Sequence, residues 1–508
     1  MSTEPKGSTP GPIEHHHHNN LTRVNTFPSV EFTIPPSDPP LEKVVSKCGP
    51  RQTRCDDAPA PEKYPRSEEH AGDARDEENQ SVTSNNDGDD GDDQVTYPEG
   101  GLQAWLVVLG SFFGAFVGFG MMNTVGIFHS YIGEHQLREY NESTIGWIFS
   151  VYVFLSFFCG VQIGPIFDAY GPRLLVLAGS ISISASMLLL GLCTRYWHFL
   201  VVFGVLGGTG TSLIFTPAFS AVAHFFLAKR GNATGIAAAG GSLGGIIFPL
   251  MLQELFPRVG FAWATRILGF IFVACCAVAV ALIRSRLPPK PGQSVVPDLR
   301  IFRDPAYLLL TLGIYFMEWA LFVPITYLPS FALSTGAMDA AFSYQLIAIM
   351  NAGSCLGRWA PGYVADKLGR FNSMIAALVL CTATTATLWL PASILTPHTA
   401  AEATAVKALS IVYALVFGFA SGSNISLTPV CVGQLCSTSE YGRYFATCYT
   451  IVSFGTLTGI PIAGALIQAA GSQFWGVVIW TGLCYVVSLL CFICGRACRV
   501  GWKLGVKF

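Results

Sequence analysis

From Trp105 onward, apolar positions dominate the chain in runs of about 20 residues, broken by short polar links. A run of that length crosses the roughly 30 Å hydrocarbon core of a bilayer at a rise of about 1.5 Å per residue. Twelve runs stand out, near 103–127, 145–164, 173–194, 198–220, 234–253, 264–284, 306–328, 343–363, 371–392, 405–428, 446–470 and 474–495. Inside lipid each segment must satisfy its own backbone, so each is predicted as a helix. Two links are longer. One follows the first run. The other, 284–305, holds Pro288, Pro289, Pro291 and Pro297 and divides the body into six runs and six. Residues 1–97 show no apolar periodicity and contain the charge run from Asp87 to Asp93. Such a segment cannot bury enough surface to offset ordering. The expected order is a disordered acidic tail at 1–97, a six-helix bundle at 98–284, a linker at 285–305, a second six-helix bundle at 306–498 and a short tail at 499–508.

Composition agrees with this pattern. Hydrophobic residues make up 51% of the chain and charged residues 12%, with a mean hydropathy of +0.47. A typical soluble domain carries about twice that charged share. An ordinary soluble enzyme and a basic nucleic-acid binder are therefore excluded. The net charge of −2 hides an asymmetry: residues 1–100 hold 20 acidic and 9 basic side chains, residues 101–508 hold 12 and 21. With the tail placed in the cytosol, the inner links and C-terminus carry 15 Lys/Arg and the outer links 5. That bias predicts both termini inside, in the plasma membrane or an internal membrane such as that of a vacuole. No signal peptide is expected, because no short apolar run follows a charged start. Thirteen of 15 cysteines lie in or beside apolar runs, where they read as small hydrophobes. No metal or cofactor is expected; His15 to His18 read as a polar patch in the tail.

The two halves share an internal echo. Gly164-Pro-Ile-Phe-Asp168-Ala-Tyr-Gly171-Pro-Arg173 follows the second run, and Gly362-Tyr-Val-Ala-Asp366-Lys-Leu-Gly369-Arg370 follows the eighth. Both read Gly-x3-Asp-x2-Gly at equivalent links, which indicates a duplicated bundle.

With twelve spans and this doubled loop, the chain resembles the major facilitator superfamily. Within it, Glu99-Gly100-Gly101-Leu-Gln-Ala-Trp105 resembles the acidic-Gly-Gly…Trp signature of the monocarboxylate porter family. The stretch from Phe225 to Gly235 resembles that family's loop into the fifth span. Tyr441-Gly442-Arg443, followed by Gly455 to Gly464, is similar to its fungal branch. The resemblance implies an all-α fold of two pseudo-symmetric six-helix bundles. It implies transport of small organic acids or other organic solutes by alternating access, in some relatives coupled to a proton and in some fungal ones directed outward. This chain departs from the lactate-type pattern: Asn123 stands where proton-coupled members carry a Lys, and Ser354 where they carry an Asp.

Few polar residues lie inside the spans. Arg358 lies well inside a span; such a charge faces a cavity or a partner, and a guanidinium grips a carboxylate with two parallel bonds. It either anchors an anionic solute, with Asn351 and Ser354 on the same helical face, or reaches the membrane surface and packs against Asp366. Glu318 is the one carboxylate in mid-span. It either carries a proton, pairs with Arg358 when the site is empty, or ties two helices together. Asn123, Gln162, Asn351 and Asn424 either line the path or join helices. Tyr315, Phe316 and Tyr152 either meet a ring-bearing solute or fill the core. Gly164, Asp168, Gly171 and Arg173, with Gly362, Asp366, Gly369 and Arg370, are expected to form a cytosolic gate in which each Asp sits against a helix N-terminus. Gly235, Gly240, Gly241, Gly244 and Gly245 are expected to permit close helix approach.

The function expected is a secondary or facilitative transporter of a small organic acid or carboxylate-bearing metabolite. Its partners are that solute, protons in a coupled mechanism, and the lipid bilayer. The cargo is exported as a fungal secondary metabolite, or the chain is an uptake porter for a monocarboxylate or vitamin-like solute, or a nutrient sensor with the same fold. No clustered nucleophile, base and metal set marks an enzyme.

Overall fold

The computed structural model describes residues 97–140, 142–287, 299–503 and 506–508. The acidic leader up to residue 96, with His15 to His18, and linker residues 288–298 lie outside the described residues. The described chain forms the helices α1 (Leu102–Glu134), α2 (Glu142–Phe158), α3 (Gly160–Tyr170), α4 (Arg173–Leu190), α5 (Tyr196–Phe199), α6 (Gly208–Ala223) and α7 (Arg230–Leu282), then α8 (Pro305–Ser334), α9 (Ala340–Leu368), α10 (Arg370–Thr384), α11 (Leu390–Ile394), α12 (Ala400–Val432), α13 (Tyr441–Ala469) and α14 (Trp475–Val500). Wide-turn helix joins α5 to α6 and α10 to α11. No strand occurs among the described residues.

Among the described residues, ten helical stretches are long and apolar enough to cross a membrane. That number is compatible with the predicted twelve runs. α7 runs through Gly260, whose φ of 76° is non-helical, so one continuous element covers two predicted spans. α9 is not among the ten; it carries Asn351, Ser354, Arg358 and Asp366 along its length.

Helix ends follow local chemistry. Pro305 opens α8 while the Asp304 side chain accepts from the Ala306 amide, a standard use of Pro and Asp at a helix start. Thr399 and Glu402 form a reciprocal box at the start of α12. Gly171 and Gly369 end α3 and α9 with φ of 82° and 104°, a left-handed conformation that disfavours any side chain. The shared motif thus uses its last Gly to turn the chain sharply into the next helix.

In the first half, α1 packs along α7, and α4 against α6 and α7; in the second, α9 lies on α12 and α8 on α13 and α14. The halves meet along two seams, α7 against α9 and α13 against α2 and α3.

Candidate functional site

The end of the bundle that carries the repeated motif is held shut by two crossed carboxylates. Asp168 of the first half accepts from the backbone amides of Gly442 (3.1 Å) and Arg443 (2.8 Å), the first turn of α13. Asp366 of the second half accepts from Gly231 and Asn232, both at 2.8 Å, in the first turn of α7. A helix N-terminus leaves amides unpaired and bears partial positive charge, so it binds a carboxylate well. Each half therefore caps a helix of the other.

Around these caps, Arg370 donates to the Leu227 carbonyl. Buried Arg230, 1% exposed, donates to the carbonyls of Phe226, Ala223 and Gly433 and to the Thr438 hydroxyl. Tyr97 bonds Thr438 from the start of the described chain. Glu99 accepts from Leu227 and Ala228 (2.7 Å each) and Lys229 (3.0 Å), and the Trp105 ring lies 5.3 Å from Phe226. The two stretches quoted for the porter resemblance are thus packed on each other. Of the predicted gate residues, Arg173 is exposed and its side chain bonds to none of the described residues.

From this end toward the middle, the α7–α9 seam is a ladder of small and polar residues. Gly235 touches the backbone carbonyl of Arg358. Arg358 Nη1 donates to the Ala238 carbonyl at 2.8 Å, and Ser242 bonds Ser354 at 3.0 Å. A side chain at Gly245 would fall 2.7 Å from Asn351 Oδ1 and 2.9 Å from Asn123 Nδ2. The pairings step three or four residues at a time in opposite directions, as an antiparallel helix pair in close register requires. Gly240 and Gly244 turn the other way, against the Phe112 and Phe116 carbonyls of α1. The α13 seam starts alike, with Gly164 against the Gly442 carbonyl. It then becomes aromatic: Phe157 stacks on Tyr449 at 5.1 Å and Phe154 meets Phe454 at 5.6 Å.

The ladder brings Asn123, Asn351, Ser354 and Arg358 together. Arg358 neither reaches the membrane surface nor meets Asp366; it is 2% exposed and turned toward α7. Glu318, 3% exposed on α8, acts on Arg358 electrostatically but forms no salt bridge with it and accepts no hydrogen bond from a described residue. Tyr315 lies elsewhere, half-buried against Gly455 of α13. Tyr152 is tied to Thr211 inside the first half, Asn424 to Cys381 inside the second, and Gln162 is exposed. Sequence reasoning assigned no gate role to Glu99 or Arg230. Glu99 already stood out as a motif residue; nothing local marked Arg230 as buried.

A bundle of apolar helices whose halves are closed at one end by breakable bonds defines a membrane transporter of small organic solutes, not an enzyme. The chain belongs to the Major Facilitator Superfamily, whose family model matches residues 106–417. It is 36% identical over 452 residues to the riboflavin transporter MCH5 of Saccharomyces cerevisiae, covering 84% of each chain. It is 37% identical over 377 residues to the aspyridones efflux protein apdF of Emericella nidulans, covering 74% of each. Among solved structures, the human organic anion transporter MFSD10 (TETRAN) aligns with a TM-score of 0.62 at 15% identity, over 77% of this chain and 99% of that one. That likeness concerns the fold alone. The monocarboxylate porter family itself does not emerge from these comparisons.

Proposed function

We propose that the chain exports a carboxylate-bearing organic metabolite by alternating access, on a scaffold of the monocarboxylate-porter type. The motif end and both termini face the cytosol, and the protein resides in the plasma membrane. The domain order is that expected from the sequence: an acidic cytosolic leader, two six-helix bundles and a linker. Asp168 and Asp366 gate the cytosolic side, with Gly164, Gly171, Gly362 and Gly369 setting the loops and Arg370 bracing the second one. The observation that carries the reading is the pair of buried, unpaired charges, Glu318 and Arg358, near the joint between the halves. Ionisable groups inside a membrane are costly and usually serve transport. Arg358 serves the anion, Asn351 and Asn123 contribute amides beside it, and Glu318 carries the proton. Efflux proteins among the relatives, apdF included, support the outward direction. The packing of Glu99 onto the loop before α7 supports the porter lineage.

The test is flux in proteoliposomes across a panel of aromatic and aliphatic carboxylates and riboflavin, with and without a pH gradient. Wild-type flux of the accepted acid is expected to follow the gradient. Glu318→Gln, a fixed mimic of the protonated acid, is expected to abolish that dependence while exchange without a gradient persists. Undiminished gradient dependence in Glu318→Gln removes Glu318 from the proton path, and flux of riboflavin alone removes the carboxylate reading.

A further inference from the structure

The second half buries a column of polar atoms that its own residues leave unanswered. The Trp389 indole N–H, the hydroxyls of Tyr413 and Tyr485 and the Asn424 side-chain oxygen have no hydrogen-bond partner among the described residues. All four side chains are 0% exposed. Thr385 lies close to Tyr413 and Cys381 to Tyr485, both in contacts too loose for a full hydrogen bond. Cys381 ties the cluster together: its carbonyl accepts from Thr385 at 2.8 Å and its sulfur from Asn424 Nδ2 at 3.4 Å. Unpartnered serines elsewhere, such as Ser184, Ser212 and Ser220, can turn to a carbonyl of their own helix. An indole, a phenol and an amide oxygen cannot. Buried groups of this kind are paired in protein interiors by ordered water.

The column follows the bundle axis. From Arg370 at the motif end to Trp389, helix rise covers about 28 Å, close to the whole hydrocarbon thickness. Trp389 ends the wide-turn segment Thr385–Trp389, a geometry found mostly at functional positions. It stacks on Tyr413 at 5.1 Å, Tyr413 on Phe417 at 5.0 Å, and Phe417 meets Tyr485 at 5.8 Å. Tyr485 is where the column reaches Glu318. Ser488, one turn past Tyr485 on α14, donates to the Gly313 carbonyl of α8 at 2.7 Å. The two helices run in opposite directions, so Tyr485 and Glu318 lie on the same side of that bond, at about one depth. The groups that act on Glu318 electrostatically are Arg358 of α9, Cys448 and Tyr449 of α13, and Tyr485 of α14.

We propose that this column is a file of bound waters that carries protons between Glu318 and the far end of the bundle. Trp389, Tyr413 and Tyr485 hold the waters, and Asn424 with Cys381 closes the file on the motif side. Every member belongs to the second half, so separation of the halves leaves the file intact. Proton and solute therefore reach the middle of the bundle by different routes. The inference rests on the reading of Glu318 as the proton carrier, and it adds the route that serves it. It also gives Asn424, which bonds within the second half, a place in transport.

Radiolytic hydroxyl-radical footprinting of the full chain in nanodiscs detects such waters, because radicals formed from a bound water attack the side chain beside it. Trp389, Tyr413 and Tyr485 are expected to be modified about tenfold faster than Tyr152 and Tyr307. Those two are as deeply buried but already bond Thr211 and the Tyr444 carbonyl. Rates no higher than those of Tyr152 and Tyr307 overturn the proposal. Flux in proteoliposomes tests the route. Tyr485→Phe keeps the ring and removes the hydroxyl. The ratio of gradient-driven flux to gradient-free exchange is expected to fall about tenfold, the effect of one lost hydrogen bond to the file. A packing defect lowers both fluxes and leaves the ratio at the wild-type value, and that result also overturns the proposal. Gradient dependence that persists in Glu318→Gln takes the proton out of the file but not the waters, which the footprint alone decides.

Discussion

Replacing Asp168 with arginine is expected to cut the maximal transport rate by about a hundredfold, since two charge-assisted hydrogen bonds worth roughly 1.5 kcal/mol or more each are lost. The half-saturating solute concentration should stay within about twofold, since the proposed solute site lies further into the bundle. The reason is positional. Asp168 holds the α13 amides of Gly442 and Arg443 across the joint and touches no residue of the ladder between α7 and α9. Arginine there sets a cation against the positive end of a helix, which adds repulsion to the lost bonds. The motif end then rests open. Half-buried Cys436, whose surroundings include Asp168 and Arg230, is expected to react faster with a membrane-impermeant maleimide added at that end. Asp366→Arg should do the same through Gly231 and Asn232. An Asp168→Arg chain that transports at the wild-type rate removes Asp168 from the gate. A large rise in the half-saturating concentration with an unchanged maximal rate places it in solute binding instead.

The repeated motif shows how far sequence can be read. Two copies of Gly-x3-Asp-x2-Gly reveal a duplication, and the chemistry of a carboxylate suggests a helix N-terminus as its partner. Which helix is another matter. Asp366 meets Gly231, 135 residues away, and Asp168 meets Gly442, 274 residues away. Apolar runs tell that a segment is helical and long, but these helices are apolar nearly all round, so periodicity does not say which side faces which neighbour. Tyr315 illustrates the consequence: composition places it in a span near Glu318, yet the helix turns it toward Gly455. Asn351, Ser354 and Arg358 were legible as one face because they are three, four and seven residues apart. Their partners on α7 were not, since Ala238 contributes a backbone carbonyl and Gly241 and Gly245 only the space they leave. Arg230 counted as one more inner charge; it is held by the carbonyls of Ala223, Phe226 and Gly433 and the hydroxyl of Thr438, from two stretches about 200 residues apart that no local pattern brings together.

The second large effect follows from that space. Gly235→Leu is expected to reduce transport by at least about a hundredfold, since its side chain must enter a backbone-to-backbone contact that has no flexible partner to yield. The position faces the carbonyl of Arg358 in the other half; on the second seam Gly164 likewise faces the carbonyl of Gly442, as Gly362 faces that of Gly231 on the first. A leucine at either site acts as a wedge between the halves, not as a flaw inside one of them. Each half keeps its own core, so expression and detergent-solubilised size should match the wild type. What the wedge removes is the state in which the motif end is closed. Labelling of Cys436 from that end should therefore rise with Gly235→Leu, as with Asp168→Arg, though by steric exclusion and not by loss of a bond. Gly146→Leu supplies the contrast: nothing lies within 4 Å of a side chain there, and transport should stay within about twofold, as for other uncrowded surface changes. If Gly235→Leu moves solute at the normal rate, α7 and α9 need not touch at any point of the cycle, and the crossed-cap account of closure fails with it.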